Sequence, residues 1–343
     1  MRFLSPWRAA ASAALLAVVA LFVLYLIPSN GYYVFLPDRA HALAPLVHVA
    51  GEKQPRDGGG IYFVDVRFRK ARLLEDLLKR PLARGATLEP AHDVLGGATE
   101  SQQRRIDLNE MEESQKIAAA LALNRLGRHV AIRLPHVLVV DVSRTAPVAK
   151  ILRPRDRLLA VDGVPVYTLG RLHQVLAAHY PGERVRLRFS RHGVVRTGTT
   201  TTIRDPSRPG EAVLGILVQE VGGSTGRLPA KVRIDTGGVG GPSAGLAFAL
   251  DLMEELGRDV DRGYKVAATG ELELDGTVAQ IGAIKQKTIG AKQADVDVFL
   301  VPAGANARDA RKYAGSLQII PVKTFPQALA ALATLPLEGR MNG

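Results

Sequence analysis

The sequence predicts an α+β fold that carries a β-rich module and is preceded by one apolar helix. Three observations predict it. Residues 9–27 run without a single charge. Residues 130–203 read as short strands broken by Gly and Pro, with one helical stretch among them. From Ala212 to Thr334, strands and helices mix around a glycine-rich loop at Gly237–Gly241. The 343 residues suffice for two domains, and 47% hydrophobic residues allow real cores. With no cysteine, disulfides and thiolate metal sites are excluded. No G-x-x-x-x-G-K-[ST] stretch occurs, so no P-loop phosphate cradle and no ATP is implied, and no other cofactor is called for.

Ala9–Ile27 are nineteen uncharged residues. As a helix they extend roughly 29 Å, about the hydrocarbon thickness of a bilayer. One membrane span is the expectation. Ala-x-Ala triplets near Ala9–Ala14 would suit a cleaved signal peptide, but they precede the apolar run, whereas cleavage would need them after it. Arg2 and Arg8 precede the run, with Trp7, Tyr32 and Tyr33 flanking it as interfacial anchors. The N-terminus is therefore expected in the cytoplasm and the rest outside. The net charge of +12 is concentrated: Arg144–Arg196 holds eleven Lys/Arg against three Asp/Glu. No basic motif interleaved with aromatics is present, so a solvated basic face near anionic lipid is expected and nucleic acid is not.

Gly31–Gly60 reads as a connector with a short strand around Pro45–Ala50, and Ile61–Phe68 as one alternating strand. A short helix is expected at Ala71–Lys79, followed by a loop. Glu110–Leu126 is a clear helix, with Met111, Ile117, Ala118, Leu121 and Leu126 on one face and Gly127 at its end. Val130–Ile203 has strands at Val137–Val142, Leu158–Val166 and Val185–Phe189 and a helix at Leu169–His179. Asp205–Gly210 is a linker. Beyond it come strands at Ala212–Glu220 and Ala230–Ile234, the helix after the glycine loop, and a strand at Lys265–Thr269. A hairpin at Asp275-Gly276, a helix from about Ala283, a buried strand Val296–Val301, a helix Ala305–Tyr313, a strand Gln318–Val322 and a last helix Phe325–Thr334 complete the chain.

The glycine loop leads through Pro242 into a helix marked by Leu246, Ala249, Leu250, Met253 and Leu256. Ser243 therefore falls in the first helical turn, where unpaired N–H groups and the helix dipole would stabilise an oxyanion. The same pattern equally suits a serine that merely starts a helix. Gly241-Pro242-Ser243-Ala244-Gly245 also fits G-x-S-x-G, but that hydrolase elbow needs a histidine after the serine, and the last histidine is His192. A catalytic Ser243 would thus take a lysine as base. Six lysines follow it. Lys265 opens a polar segment, and Lys312 and Lys323 sit in charged or terminal surroundings. Lys287 shares the stripe of Ile284, Ala291 and Ala294, whereas Lys285 and Lys292 share the other face. An apolar setting lowers a lysine's pKa and equips it as a base, although a helical lysine is more often solvated.

G-G-P-S-A-G at Gly240–Gly245, T-G-E at Thr269–Glu271 and I-G-A-I-K-Q-K at Ile281–Lys287 resemble the signature of the Lon proteases, in this order. The resemblance implies a Lon proteolytic domain (ribosomal protein S5 domain 2-like) with a Ser-Lys dyad. Ser243 would be the nucleophile, Lys287 the general base and Thr269 the hydroxyl that orients it. Gly240, Gly241 and Ala244 would form the oxyanion and substrate loop. Gly241 stands where ATP-dependent relatives usually have an acidic residue, and Ala283 replaces a glycine. Leu152–Val166 resembles the PDZ domains of bacterial proteases, with Arg155 where they usually have glycine. PDZ domains take an extended peptide end onto a sheet edge. The whole is similar to the membrane-anchored PDZ–Lon-like peptidases of actinobacteria.

The expected division is 1–28 tip and anchor, 29–128 connector and first part of the peptidase domain, 129–204 PDZ-like, and 205–343 the rest of the peptidase domain. The PDZ-like module would then be an insertion, leaving the peptidase domain as roughly 45–128 plus 205–337. The resemblance implies an ATP-independent, membrane-anchored serine endopeptidase acting outside the cytoplasm on protein or peptide substrates. It also implies a homo-oligomer, with a hexameric ring as in Lon proteases one form. A non-catalytic membrane scaffold or peptide-binding adaptor that keeps the fold is the alternative.

Overall fold

The computed structural model describes residues 6–49, 59–95, 98–205, 210–226 and 232–336, leaving aside the side chains of residues 6, 8 and 9. Parts of the expected 45–50 and 230–234 strands and of the 205–210 linker lie outside these residues. The apolar run forms helix α1 (Pro6–Leu26), with Leu15, Leu16, Val18 and Phe22 exposed. Among the described residues, no helix is long and apolar enough to cross a membrane. The tyrosines expected as interfacial anchors belong instead to strand β1 (Pro28–Pro37). Tyr33 is buried and donates to Glu100 Oε1 at 2.5 Å, and Lys79 sits 4.4 Å from the Tyr32 ring centroid.

The run expected as one strand over Ile61–Phe68 is two strands in two sheets. β2 (Gly60–Phe63) joins the central sheet described below, and β3 (Val66–Arg72) pairs antiparallel with β1. Phe63 and Val64 are both buried, on opposite faces of that central sheet, and the chain leaves it at Val64-Asp65. Helix α2 (Leu73–Leu78) carries the buried Glu75, whose carboxylate accepts both guanidinium nitrogens of Arg69 and the N–H groups of Arg72 and Leu82. Where a loop was expected, Thr87–Pro90 adds a third strand beside β1. Helix α3 (Glu100–Arg125) starts at Glu100 rather than Glu110, because Thr99 and Gln102 form a reciprocal capping box.

The β-rich module comprises β4 (His136–Val142), β5 (Arg157–Val161), helix α4 (Leu169–Leu176), β6 (Arg184–Arg191) and β7 (Val194–Thr201). It closes over its own core, which includes Val137, Leu158, Leu172, Leu187 and Phe189. The strand expected in the peptidase part at Ala212–Glu220 lies elsewhere. Its main piece, β8 (Ile216–Val221), pairs antiparallel with β4 at the edge of the module's sheet, in the order β7-β6-β5-β4-β8.

After the glycine loop come helix α5 (Gly245–Glu255), strand β9 (Lys265–Ala268), helix α6 (Ile284–Gln293), strand β10 (Val298–Pro302), helix α7 (Ala305–Ala314), strand β11 (Gln318–Val322) and helix α8 (Phe325–Ala333). β2, β9, β10 and β11 pair in that order and in parallel. A parallel sheet needs cover on both faces, and it has it. One face packs Ile61, Phe63, Val266 and Leu300 against Leu246, Leu250 and Met253 of α5 and Phe325 of α8, with Met111 and Ala118 of α3 beyond. The other packs Val64, Ala267 and Phe299 against Ile284 and Ala291 of α6 and Ala307 of α7. Every residue of α5 is buried, as suits a helix enclosed on all sides. The module touches this body through α4: Gly170 N–H donates to Glu273 Oε1 at 2.9 Å and Gln174 Nε2 to the Val278 carbonyl at 2.7 Å.

Candidate active site

Ser243 sits just ahead of α5 rather than within it. Gly241 has φ 89° and ψ 155°, a conformation only glycine adopts without strain, and it turns the chain into a single 3₁₀ turn, Pro242–Ala244. Two elements hold that turn. The Ser243 carbonyl accepts the Gly270 N–H at 2.8 Å and the Thr269 hydroxyl at 3.1 Å, both just past the end of β9. The Pro242 carbonyl accepts Ser114 Oγ of α3 at 3.0 Å.

Helix α6 carries the lysine expected to be the base. Lys287 points to the interior, with 3% of its surface exposed. Its Nζ lies 2.5 Å from Ser243 Oγ and 3.2 Å from Thr269 Oγ1. Burial lowers its pKa from the ordinary 10.5 to about 8, against the opposing pull of the Asp65 carboxylate. An amine so placed is neutral in an appreciable fraction near neutral pH and can accept the serine proton. Lys285 is turned away: it donates to the Ala86 carbonyl at 3.2 Å and lies 5.6 Å from the Tyr313 ring centroid. Ser243, Lys287 and Thr269 are thus brought into mutual contact.

The expected oxyanion loop is arranged differently. The Gly241 N–H donates to the Asp107 carbonyl at 2.7 Å, so in this conformation it is not offered to a substrate. Gly240 packs so closely on Asp107 that a Cβ there would approach its side chain to 2.7 Å. Ala244 is buried within the turn. Three residues near the dyad had no place in the sequence reading. Asp107 belongs to the first turns of α3, ahead of the expected helix start. Ser114 follows Met111 by one helical turn and shares its buried side, a signal that was present. Asp65 lies between β2 and β3 and is a charged neighbour of Lys287.

Residues 230–334 match the Lon protease (S16) C-terminal proteolytic domain, and residues 102–202 match the PDZ domain. Among curated relatives, Lon protease 1 of Sorangium cellulosum is 42% identical over 94 residues, which cover 26% of this chain and 11% of that protein. Lon protease 2 of Bacillus subtilis is 33% identical over 108 residues, covering 32% of this chain and 18% of that protein. The matched stretch therefore spans only about a tenth to a fifth of those relatives. Among solved structures, the PDZ domain of the SdrC-like protein from Listeria monocytogenes is 18% identical, with a TM-score of 0.23, over 24% of this chain and 85% of that one.

Proposed function

From a Lon-type proteolytic domain and a PDZ domain in one chain, we infer a serine endopeptidase that works without ATP through a Ser243–Lys287 dyad. The observation that carries this reading is the 2.5 Å approach of a buried Lys287 Nζ to Ser243 Oγ. Neutral Lys287 takes the Ser243 proton as Oγ attacks a peptide carbonyl. The ammonium so formed returns that proton to the leaving amine, and water repeats the sequence to release the acyl group. Thr269 fixes the lysine's direction and also grips the Ser243 carbonyl, so one hydroxyl aligns both partners. Oxyanion donors at this loop require the Gly241 N–H to leave Asp107, a small rearrangement that substrate would drive.

In this reading the substrate is polypeptide, the PDZ-like module presents it, and copies of the chain assemble as Lon proteases do. The module is an insertion between two parts of one peptidase domain. Residues 43–49, 61–63, 111–122 and 244–335 supply a single core, while the module has its own. Because β8 belongs to the module, the second part begins beyond Val221 rather than at residue 205. In this reading the uncharged run of α1, whose leucines and valines are exposed, is an anchor, and the catalytic part lies outside the cytoplasm.

The test is cleavage of an unstructured protein by the purified full chain without nucleotide, alongside Ser243→Ala. Cleavage that depends on Ser243 supports the reading. Equal behaviour of both chains, with the fold retained, supports a non-catalytic scaffold instead.

A further inference from the structure

The dyad explains two of the groups around Lys287 but not the third. Both Ser243 and Thr269 meet its Nζ with neutral hydroxyls. Among the described residues, the charged group whose field acts on it is Asp65, from the segment that follows β2. The backbone explains how it comes to be there. β2 and β9 run in parallel with Phe63 opposite Ala268. β2 ends there: the next residue, Val64, lies against α6, where a Cβ on Gly290 would come within 3.2 Å of its Cγ1, and Asp65 follows it.

A second tether comes from β1's end. The Asp38 carbonyl rests against Gly290 of α6 so closely that a Cβ there would lie 1.8 Å from it, and Ala40 N–H donates to the Gly290 carbonyl at 3.2 Å. Gly290 stands one helical turn from Lys287 on the same side of α6. The segment from Asp38 to His41 and the end of β2 are thereby clamped to the helix of the base. His41 Nε2 lies 3.5 Å from Asp65 Oδ1, and Asp38 is turned outward to Arg67 at 3.1 Å. Asp65 Oδ1 is itself buried and, among the described residues, accepts no hydrogen bond. A buried carboxylate oxygen left without a donor calls for a reason.

We propose that Asp65 is the counter-charge of Lys287, a positioning residue for the dyad whose carboxylate His41 steadies from the other side. The inference rests on the dyad reading and adds a residue to it. Burying an ammonium against hydroxyls alone leaves its charge unmatched. A carboxylate nearby but not hydrogen-bonded to Nζ offsets part of that cost without taking the proton. It stabilises the ammonium that forms when Ser243 gives up its proton, and so favours the attack. The charges facing Asp65 are Lys287, His41 and Asp38, of which Asp38 alone repels it.

The experiment titrates Lys287 by NMR in the full chain with ¹³C-labelled lysine, in a Ser243→Ala background so that turnover plays no part. Against that background, Asp65→Asn should move the Lys287 titration to lower pH by about half a unit or more, the size of one partly screened charge contact. Asp65→Glu should return it toward the parent. If the asparagine is not accepted by the fold, Asp65→Ser removes the same charge in a smaller side chain and is read in the same way. An unchanged titration in a folded, uncharged variant overturns the proposal. Failure of the dyad reading would show elsewhere, as cleavage that survives Ser243→Ala.

Discussion

Replacing Lys287 by methionine should abolish cleavage and yet make the protein more stable at neutral pH. Lys287 is 3% exposed, and burial lowers its pKa from 10.5 to about 8. At 1.36 kcal/mol per pH unit, holding this group charged in the folded state costs about 3 kcal/mol. The two hydrogen bonds to Ser243 and Thr269 return part of that, about 1 kcal/mol each, so methionine should gain roughly 1–3 kcal/mol. The pH dependence fixes the cause. A lysine whose folded pKa is lowered binds fewer protons folded than unfolded between the two values, so the native protein gains stability as pH rises from about 8 toward 10.5. The methionine advantage is therefore full below pH 8 and shrinks above it. Urea unfolding followed by circular dichroism at pH 6.5 and pH 9.5 measures both. A variant that is less stable at pH 6.5, or whose gain is the same at both pH values, would refute the reasoning.

Lys285→Ala should keep most activity, since its amine contacts the Ala86 carbonyl rather than the dyad, whereas Lys287→Arg should lose it because arginine stays protonated; kcat/KM on one peptide substrate compares them. Gly290→Ala should destabilise by at least about 2 kcal/mol, because its Cβ would collide with the Asp38 backbone oxygen; thermal unfolding reads this. Glu75→Gln should cost about 3 kcal/mol at pH 7, breaking a buried pair with Arg69. Although burial alone would raise it, the hydrogen bonds from Arg69, Arg72 and Leu82 hold the Glu75 carboxyl down at about 2. Its stabilising effect is present above the ordinary value of 4.5 and is lost as pH falls through about 2, so the variant and parent should converge in acid.

The meeting of Ser243 and Lys287 was legible because both residues obey local rules. The stripe of Ile284, Ala291 and Ala294 placed Lys287 inward, and the glycine loop before Pro242 marked the serine turn. What escaped depends on contacts distant in sequence. Gly241 is engaged by Asp107 because two segments more than a hundred residues apart meet, and no periodicity reports that. The strand at 216–221 alternates as any strand does; only its pairing with β4 assigns it to the module. One miss was readable in retrospect: Thr99 and Gln102 have the spacing of a capping box and fix the start of α3. The passage from β2 to β3 was not, because Phe63 and Val64 are buried on opposite faces of one sheet, as adjacent residues of any strand covered on both sides are.

The central claim is that Lys287 activates Ser243, and it is tested most directly by covalent labelling. Treating the full chain with a fluorophosphonate and mapping the adduct by peptide mass spectrometry should find the phosphonyl group on Ser243. Labelling should rise with pH toward about 8 and beyond, following the neutral amine, and should vanish in Lys287→Arg. An adduct on another residue, or labelling of Ser243 that is unchanged in a folded Lys287→Arg, would contradict the account.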